Sequence, residues 1–420
     1  MINRFFKGSE FSRNVLTLIT GASIAQAIPI AISPILTRIY TPEDFGILSL
    51  FATISAVFGS IVNGRYELAI MLPKKDSDAI NLLVLGFAIC AVISFLLGFI
   101  VFFLNENIRN LLGNQEIEFW LYFVPVAVFL TGVFNLLNYY NVRNKYYKDI
   151  RNAAVSKSIV GAASQLSIGV LKGGVVGLIT GQLLSQLVAN SRLIKNLGRK
   201  KIAVSVNKIK IIALAKKYKD FPRFTLWAGL FNTLSQNINN VIISMFYGLS
   251  TLGYYSFTER VLGMPASLIG SAIGKVYFQE ASKEQQETGS AYNSFISASK
   301  KLVLIGLPFY FVLYFVVEDI FYYVFGSDWL VAGSYAKIMV PFFMVRFVVS
   351  PLTVTNQINK KNKLGMIWQL GLLGLYLTVI YLSDYLELSF EEFLNFLVVV
   401  LSVYYMFFYI LIYSHVRIRG

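Results

Sequence analysis

Residues 79–104 read AINLLVLGFAICAVISFLLGFIVFFL, a run of 26 positions without one charged side chain. A helix of about 20 apolar residues crosses a hydrocarbon core of about 30 Å, so this stretch is long enough to span a bilayer. The rest of the chain agrees with it. Of 420 residues, 56% are hydrophobic and only 14% are charged, against roughly 25% charged in a soluble domain. The short alternating segments of a membrane β-barrel are absent.

Working outward between polar breaks gives about twelve spans, near 15–37, 46–66, 79–104, 119–141, 153–171, 174–194, 224–246, 254–275, 300–322, 332–353, 364–383 and 393–413. Glycine or polar residues interrupt the fifth to eighth. The small-residue patch Ala25-Gln26-Ala27 imitates a signal-cleavage site, but the apolar stretch continues past it, so an uncleaved first span is expected. Basic residues favour cytoplasmic loops. With the N-terminus inside, Arg38, Arg109, Lys172 and Lys337 fall outside or at the outer boundary. Arg65, Lys157, Arg260, Lys275 and Arg346 fall in or at the ends of spans, and the remaining 28 of the 37 Lys and Arg are cytoplasmic. The net charge of +15 is thereby a topology signal that needs no nucleic acid. Both termini are expected on the cytoplasmic side.

Single Cys90 and single His415 leave no disulfide framework and no histidine-based zinc site or serine triad. Enzyme chemistry is not expected. No cofactor or metal is called for.

Three weak echoes recur in order. Tyr40, Gly46 and Ser49 match Tyr247, Gly253 and Ser256; Leu112-Gly113 stands beside Phe325-Gly326; and NVRNKYYK at 141–148 faces NQINKKNK at 356–363. They predict an all-α integral membrane protein of two parallel six-helix lobes, 1–200 and 224–420, with a cleft between them suited to alternating access. The basic segment 201–223 joins the lobes, either as an interfacial helix or as a solvated linker.

Charges inside a bilayer are costly, so they are functional candidates. Arg346 is placed near mid-membrane, as a functional cation or half of a pair with a neighbouring helix. Arg260 is placed about six residues into the eighth span, and a pair with adjacent Glu259 is geometrically awkward because successive helical side chains diverge. Arg65, Glu67 and Lys275 are read at inner span ends, where snorkelling to the interface competes with function. On the seventh span Asn232, Gln236 and Asn240 recur every four residues, as cavity lining or as interhelical glue; Gln182, Gln186 and Asn190 do the same on the sixth. Gly173, Gly177 and Gly181 form a close-packing face, and Pro29, Pro34, Pro265, Pro341 and Pro351 are expected to bend helices.

At TRIYTPEDFGILSLF (37–51), RYELAIMLPKKDSDA (65–79) and ERVLGMPASLIGSAIGKVYFQEAS (259–282) the chain resembles polysaccharide-exporting flippases of the multidrug/oligosaccharidyl-lipid/polysaccharide exporter superfamily, most of all O-antigen repeat-unit flippases. That resemblance implies a twelve-helix, two-lobed V in the bacterial cytoplasmic membrane, moving undecaprenyl-diphosphate-linked oligosaccharide between leaflets. It carries Arg38, Asp44, Arg65, Glu67 and Arg260 over as motif positions. Membrane lipids, H+ or Na+ as coupling ion and a polysaccharide polymerase are the partners it brings. Multidrug exporters of the same superfamily usually keep a buried carboxylate; here Glu67 and Glu259 are read near span ends, which favours an anionic cargo. A membrane polymerase or ligase would need a large outer loop, and the outer loops are short.

Overall fold

A computed structural model describes residues 10–171, 173–199, 206–359 and 362–417. Lys172 and part of the basic segment, 200–205, lie outside them. The described residues contain helices and no strand. Every expected interval holds helix, and eight helical stretches are long and apolar enough to cross a membrane. One of them, Phe221–Thr288, covers the seventh and eighth intervals together. The intervals at 46–66, 153–171 and 174–194 hold helices that are shorter or richer in Gly, Ser, Asn and Gln.

The surface is apolar where a soluble protein would be polar. Along α5 (Asp76–Leu112), Phe95 is 75% exposed and Phe102 68%, while Asn81 and Asn105 are buried. This reversal is the pattern of helices whose outer faces meet lipid, because lipid accepts Phe but not an unpartnered amide.

Residue contacts divide the chain into two compact units, Met1–Gly248 and Leu249–Gly420. The first begins with α1 (Glu10–Ala31), α2 (Ser33–Ile39) and α3 (Pro42–Gly59). After α5 come α7 (Val124–Arg143), preceded by the short turn α6 (Glu118–Leu121), then α8 (Tyr147–Val170) and α9 (Val175–Ile194). Helix α8 packs on α1 and most closely on α9. Glycine makes that approach possible: a Cβ at Gly181 would sit 2.7 Å from Gln165 Cγ, and one at Gly177 would strike the Tyr40 hydroxyl. That hydroxyl donates to the Gln165 carbonyl at 2.5 Å. The small-residue face is therefore a helix-packing face.

Helix α10 (Lys208–Lys217) is capped by Asn207, whose Oδ1 accepts from the Ile209 and Lys210 amides. It docks on α5 through buried Leu214, and the Tyr66 hydroxyl donates to the Ala215 carbonyl. This part of the basic segment is thus attached to the first unit.

Helix α11 (Leu226–Pro265) breaks at Gly248, whose φ of 84° and ψ of 171° are available to glycine alone at low cost. The break stands opposite Thr41 in the 207-residue offset, where α2 ends and α3 begins. Gly113 and Gly326, paired in another echo, both end helical segments with positive φ. The second unit continues through α12 (Ser271–Thr288), α13 (Tyr292–Ile320), α14 (Leu330–Val349), α15 (Thr355–Ile358), α16 (Asn362–Tyr385) and α17 (Phe390–Arg417). A π-segment, Ala266–Gly270, follows Pro265, and a 3-10 segment, Ser350–Val354, contains Pro351, so two of the expected bends appear as changes of helix type.

Candidate functional site

In the first unit the chain leaves α3 through a tight turn, with Gly64 at φ 58° and Arg65 at φ 62°. The left-handed region costs a non-glycine residue about 1–2 kcal/mol. It turns Arg65 so that Nη1 lies 3.6 Å from Glu67 Oε1, a contact that side chains two apart on a regular helix do not make. Glu67, on the one-turn helix α4 (Tyr66–Ala69), is 3% exposed. Its Oε2 and the Arg65 Nε have no hydrogen-bond partner among the described residues. A Cβ on Gly229 would collide with the Arg65 guanidinium, so α11 comes against the arginine where only glycine fits. Arg65 is therefore tucked under α11 and held by Glu67, where snorkelling had been one expectation.

The motif residues upstream separate. Asp44 closes a capping box on α3, its Oδ2 accepting from the Thr41 amide at 2.9 Å and from the Thr41 hydroxyl. That carboxylate is occupied by the helix terminus. Arg38 is exposed near the end of α2 with no ion pair among the described residues.

In the second unit Glu259 and Arg346 meet across α11 and α14, Oε1 to Nη1, at 3.7 Å. The side chains keep 34% and 41% of their surface accessible. The Tyr255 hydroxyl donates to Glu259, and Tyr310, Tyr376 and Tyr405 stand within electrostatic reach of Arg346, which also lies over the Phe343 ring. The loop expected before the eighth span is a single residue in the structure. Helix resumes at Leu249 directly after Gly248, with no loop, so Glu259 lies eleven residues along it, about 16 Å at 1.5 Å per residue. Glu259 therefore stands well inside the helix and faces Arg346 across it.

Arg260, one residue on, takes no part in this pair. It is exposed and has no ion-pair partner among the described residues. Lys275 is exposed on α12, likewise without an ion pair. Among the amides, Gln236 donates to Asn232 at 3.3 Å on the exposed side of α11, while Asn240 donates to the Thr53 hydroxyl at 2.8 Å. On α9, Asn190 donates to the Leu130 carbonyl at 2.9 Å and Gln186 to the same oxygen at 3.5 Å. Asn240, Gln186 and Asn190 thus join helices, and Asn232 and Gln236 remain accessible.

Lys157, placed by the sequence in or at the end of a span, was not among the candidate site residues. It lies ten residues into α8 and thirteen from its end, within 5.2 Å of the Phe134 ring centroid, and forms no ion pair among the described residues. The polar stretch YKDIRN at 147–152 precedes the span expected near 153–171. It belongs to the helix, which moves Lys157 from span end to mid-helix.

A family model for a polysaccharide biosynthesis protein matches residues 35–334. The chain belongs to this family. Among curated relatives, a teichuronic acid biosynthesis protein, TuaB, of Bacillus subtilis (strain 168) is 26% identical over 38% of this chain and 33% of its own length. A succinoglycan biosynthesis transport protein, ExoT, of Rhizobium meliloti (strain 1021) is 23% identical over 71% of this chain and 59% of its own. The alignments thus span about a third and three fifths of these relatives. Solved structures share the fold: the lipid II flippase MurJ in an inward closed conformation, at TM-score 0.73 and 14% identity over 94% of this chain and 86% of that one, and an inward-facing multidrug resistance MATE transporter of the same superfamily, at 0.61 and 14% over 96% and 94%. This member of the polysaccharide biosynthesis family is accordingly an all-α membrane protein of the multidrug/oligosaccharidyl-lipid/polysaccharide fold.

Proposed function

We propose that this protein is a flippase for undecaprenyl-diphosphate-linked oligosaccharide, an O-antigen or related surface-polysaccharide repeat unit, which it carries from the inner to the outer leaflet of the cytoplasmic membrane by alternating access. The supporting observation is Arg260, an accessible guanidinium within the long helix α11 that no carboxylate of the described residues pairs. Removing an unpaired ion from water is prohibitive, so such a group must meet water or a counter-charge. A diphosphate supplies that counter-charge, and guanidinium binds phosphate oxygens through paired hydrogen bonds. Exposed amides such as Asn232 and Gln236 replace water around sugar hydroxyls. Transport of this kind needs no covalent chemistry from the protein. Membrane lipids surround it, both termini lie in the cytoplasm, and a polysaccharide polymerase receives the product.

The Glu259–Arg346 pair favours a second reading, an exporter driven by H+ or Na+. Protonating Glu259 releases Arg346, which is a means of coupling an ion gradient to an anion. The deciding experiment deletes the protein and measures lipid-linked oligosaccharide on the inner leaflet. Accumulation that wild type relieves and Arg260→Ala does not, at equal protein levels, supports the flippase. Full rescue by Arg260→Ala, Arg346→Ala and Arg65→Ala alike overturns the site.

A further inference from the structure

The cation that nothing so far accounts for is Lys157. Ten residues of helix separate it from Tyr147 and thirteen from Val170, about 15 and 20 Å. It is partly accessible, and no carboxylate of the described residues compensates it. Its one defined contact is the Phe134 ring on α7, and a cation over an aromatic face gains only about 0.5–2 kcal/mol. That is small against the several kcal/mol needed to hold an uncompensated ion away from water.

The surface beside it is built for a polar ligand. Thr131, Phe134, Asn135 and Asn138 recur at helical spacing on one face of α7, all partly exposed. Asn135 and Asn138 make no hydrogen bond to the described residues. One residue further, Tyr139 lies within electrostatic reach of Arg65 and Glu67. A polar track thus runs along α7 from the Arg65–Glu67 turn, past Tyr139 and the two amides, to Lys157 at mid-helix.

We propose that Lys157 is a second oxyanion-binding residue of this protein, holding an acidic group of the cargo, phosphate or sugar carboxylate, after it has passed the Arg65–Glu67 turn. The assignment rests on the flippase reading and adds a defined stop in the first unit. Lys157 is suited to it because its charge is not already engaged, whereas Arg65 and Arg346 each face a glutamate.

The test uses the full chain in lipid nanodiscs and measures binding of undecaprenyl diphosphate, with neutral undecaprenol as control and a glucuronate-bearing oligosaccharide as competitor. Loss of one charge-assisted hydrogen bond should weaken undecaprenyl diphosphate binding by about tenfold or more in Lys157→Met. Lys157→Arg should retain affinity within about threefold, since the charge survives, and undecaprenol binding should not change. If Lys157→Met instead binds undecaprenyl diphosphate normally but loses glucuronate competition, the site stands and its ligand is the sugar acid. Unchanged behaviour of Lys157→Met toward both, beside weakened binding in Arg260→Met, overturns the Lys157 assignment and leaves the flippase reading in place. If neither variant weakens any anionic ligand, both fall. A loss reproduced in full by Phe134→Leu, with equal loss of thermal stability, identifies Lys157 as a packing residue and overturns the proposal.

Discussion

The two units solve the same electrostatic problem with different local structures. In the first, Arg65 and Glu67 are two residues apart, joined at 3.6 Å on a left-handed turn, with the carboxylate 3% exposed. In the second, Glu259 and Arg346 come from separate regular helices, meet at 3.7 Å, and keep about a third or more of each side chain accessible. Each unit also holds a cation that no carboxylate of the described residues neutralises, Lys157 in the first and Arg260 in the second. The difference between the pairs teaches which one is structural. A buried pair on a strained turn, packed under Gly229, has little freedom to exchange partners. An accessible pair between helices has that freedom.

The sharpest way to break this contrast is to remove one partner from the buried pair. Glu67→Ala leaves the Arg65 guanidinium without its counter-charge, and breaking a buried pair costs about 3–5 kcal/mol. A marked fall in the thermal unfolding midpoint of the detergent-solubilised protein is expected, with much of it recovered in the Arg65→Ala, Glu67→Ala double variant. A midpoint within a degree of wild type would mean that the turn does not depend on the pair.

Next in size is Arg260→Met, expected to reduce export by about tenfold, the worth of one charge-assisted contact, with stability unchanged or raised because an uncompensated cation is removed. The readout is accumulated lipid-linked oligosaccharide together with the unfolding midpoint. A parallel loss of both would move Arg260 to the structural class.

Thr41→Ala sharpens the assignment of Asp44 to the helix terminus. Losing an N-cap costs about 1 kcal/mol, and Asp44→Ala should cost a similar amount because the two side chains cap one another. If Asp44→Ala abolished export while leaving the midpoint intact, capping would not be its main role.

The smallest effect belongs to the open pair. A double-mutant cycle with Glu259→Gln and Arg346→Gln, read by thermal or denaturant unfolding, should give a coupling below about 1 kcal/mol, as for accessible ion pairs. A coupling of several kcal/mol would make this pair as structural as the first, and the contrast between the units would disappear.

How far these features could be read in advance depended on what kind of signal each one leaves. Of the glycine face, Gly177 and Gly181 were legible because their spacing is itself the packing rule, and Tyr40 fills the space between Gly169 and Gly177, whereas Gly173 lies before the helix against Ile168. The divergence of Glu259 and Arg260 was legible from helical geometry. The positions of Lys157 and Glu259 along their helices were not, for one shared reason. Span ends are inferred from polar residues, so a charged residue tends to define the boundary that then excludes it. At 147–152 the helix simply includes its polar turn, and at Gly248 a single backbone conformation replaces an expected loop.

Composition and apolar runs determined by themselves that this chain is helical and lipid-embedded, because solvent preference is summed over every residue and does not depend on partners. The echoes at Tyr40, Gly113 and their counterparts also marked where helices break. Only the tertiary structure decided which charges are paired. Ion pairing depends on distances of a few ångströms between residues far apart in the chain, such as Glu259 and Arg346, and on backbone angles such as those of Arg65. The left-handed turn and the helix-to-helix contact arise from packing, which no local pattern of residues encodes.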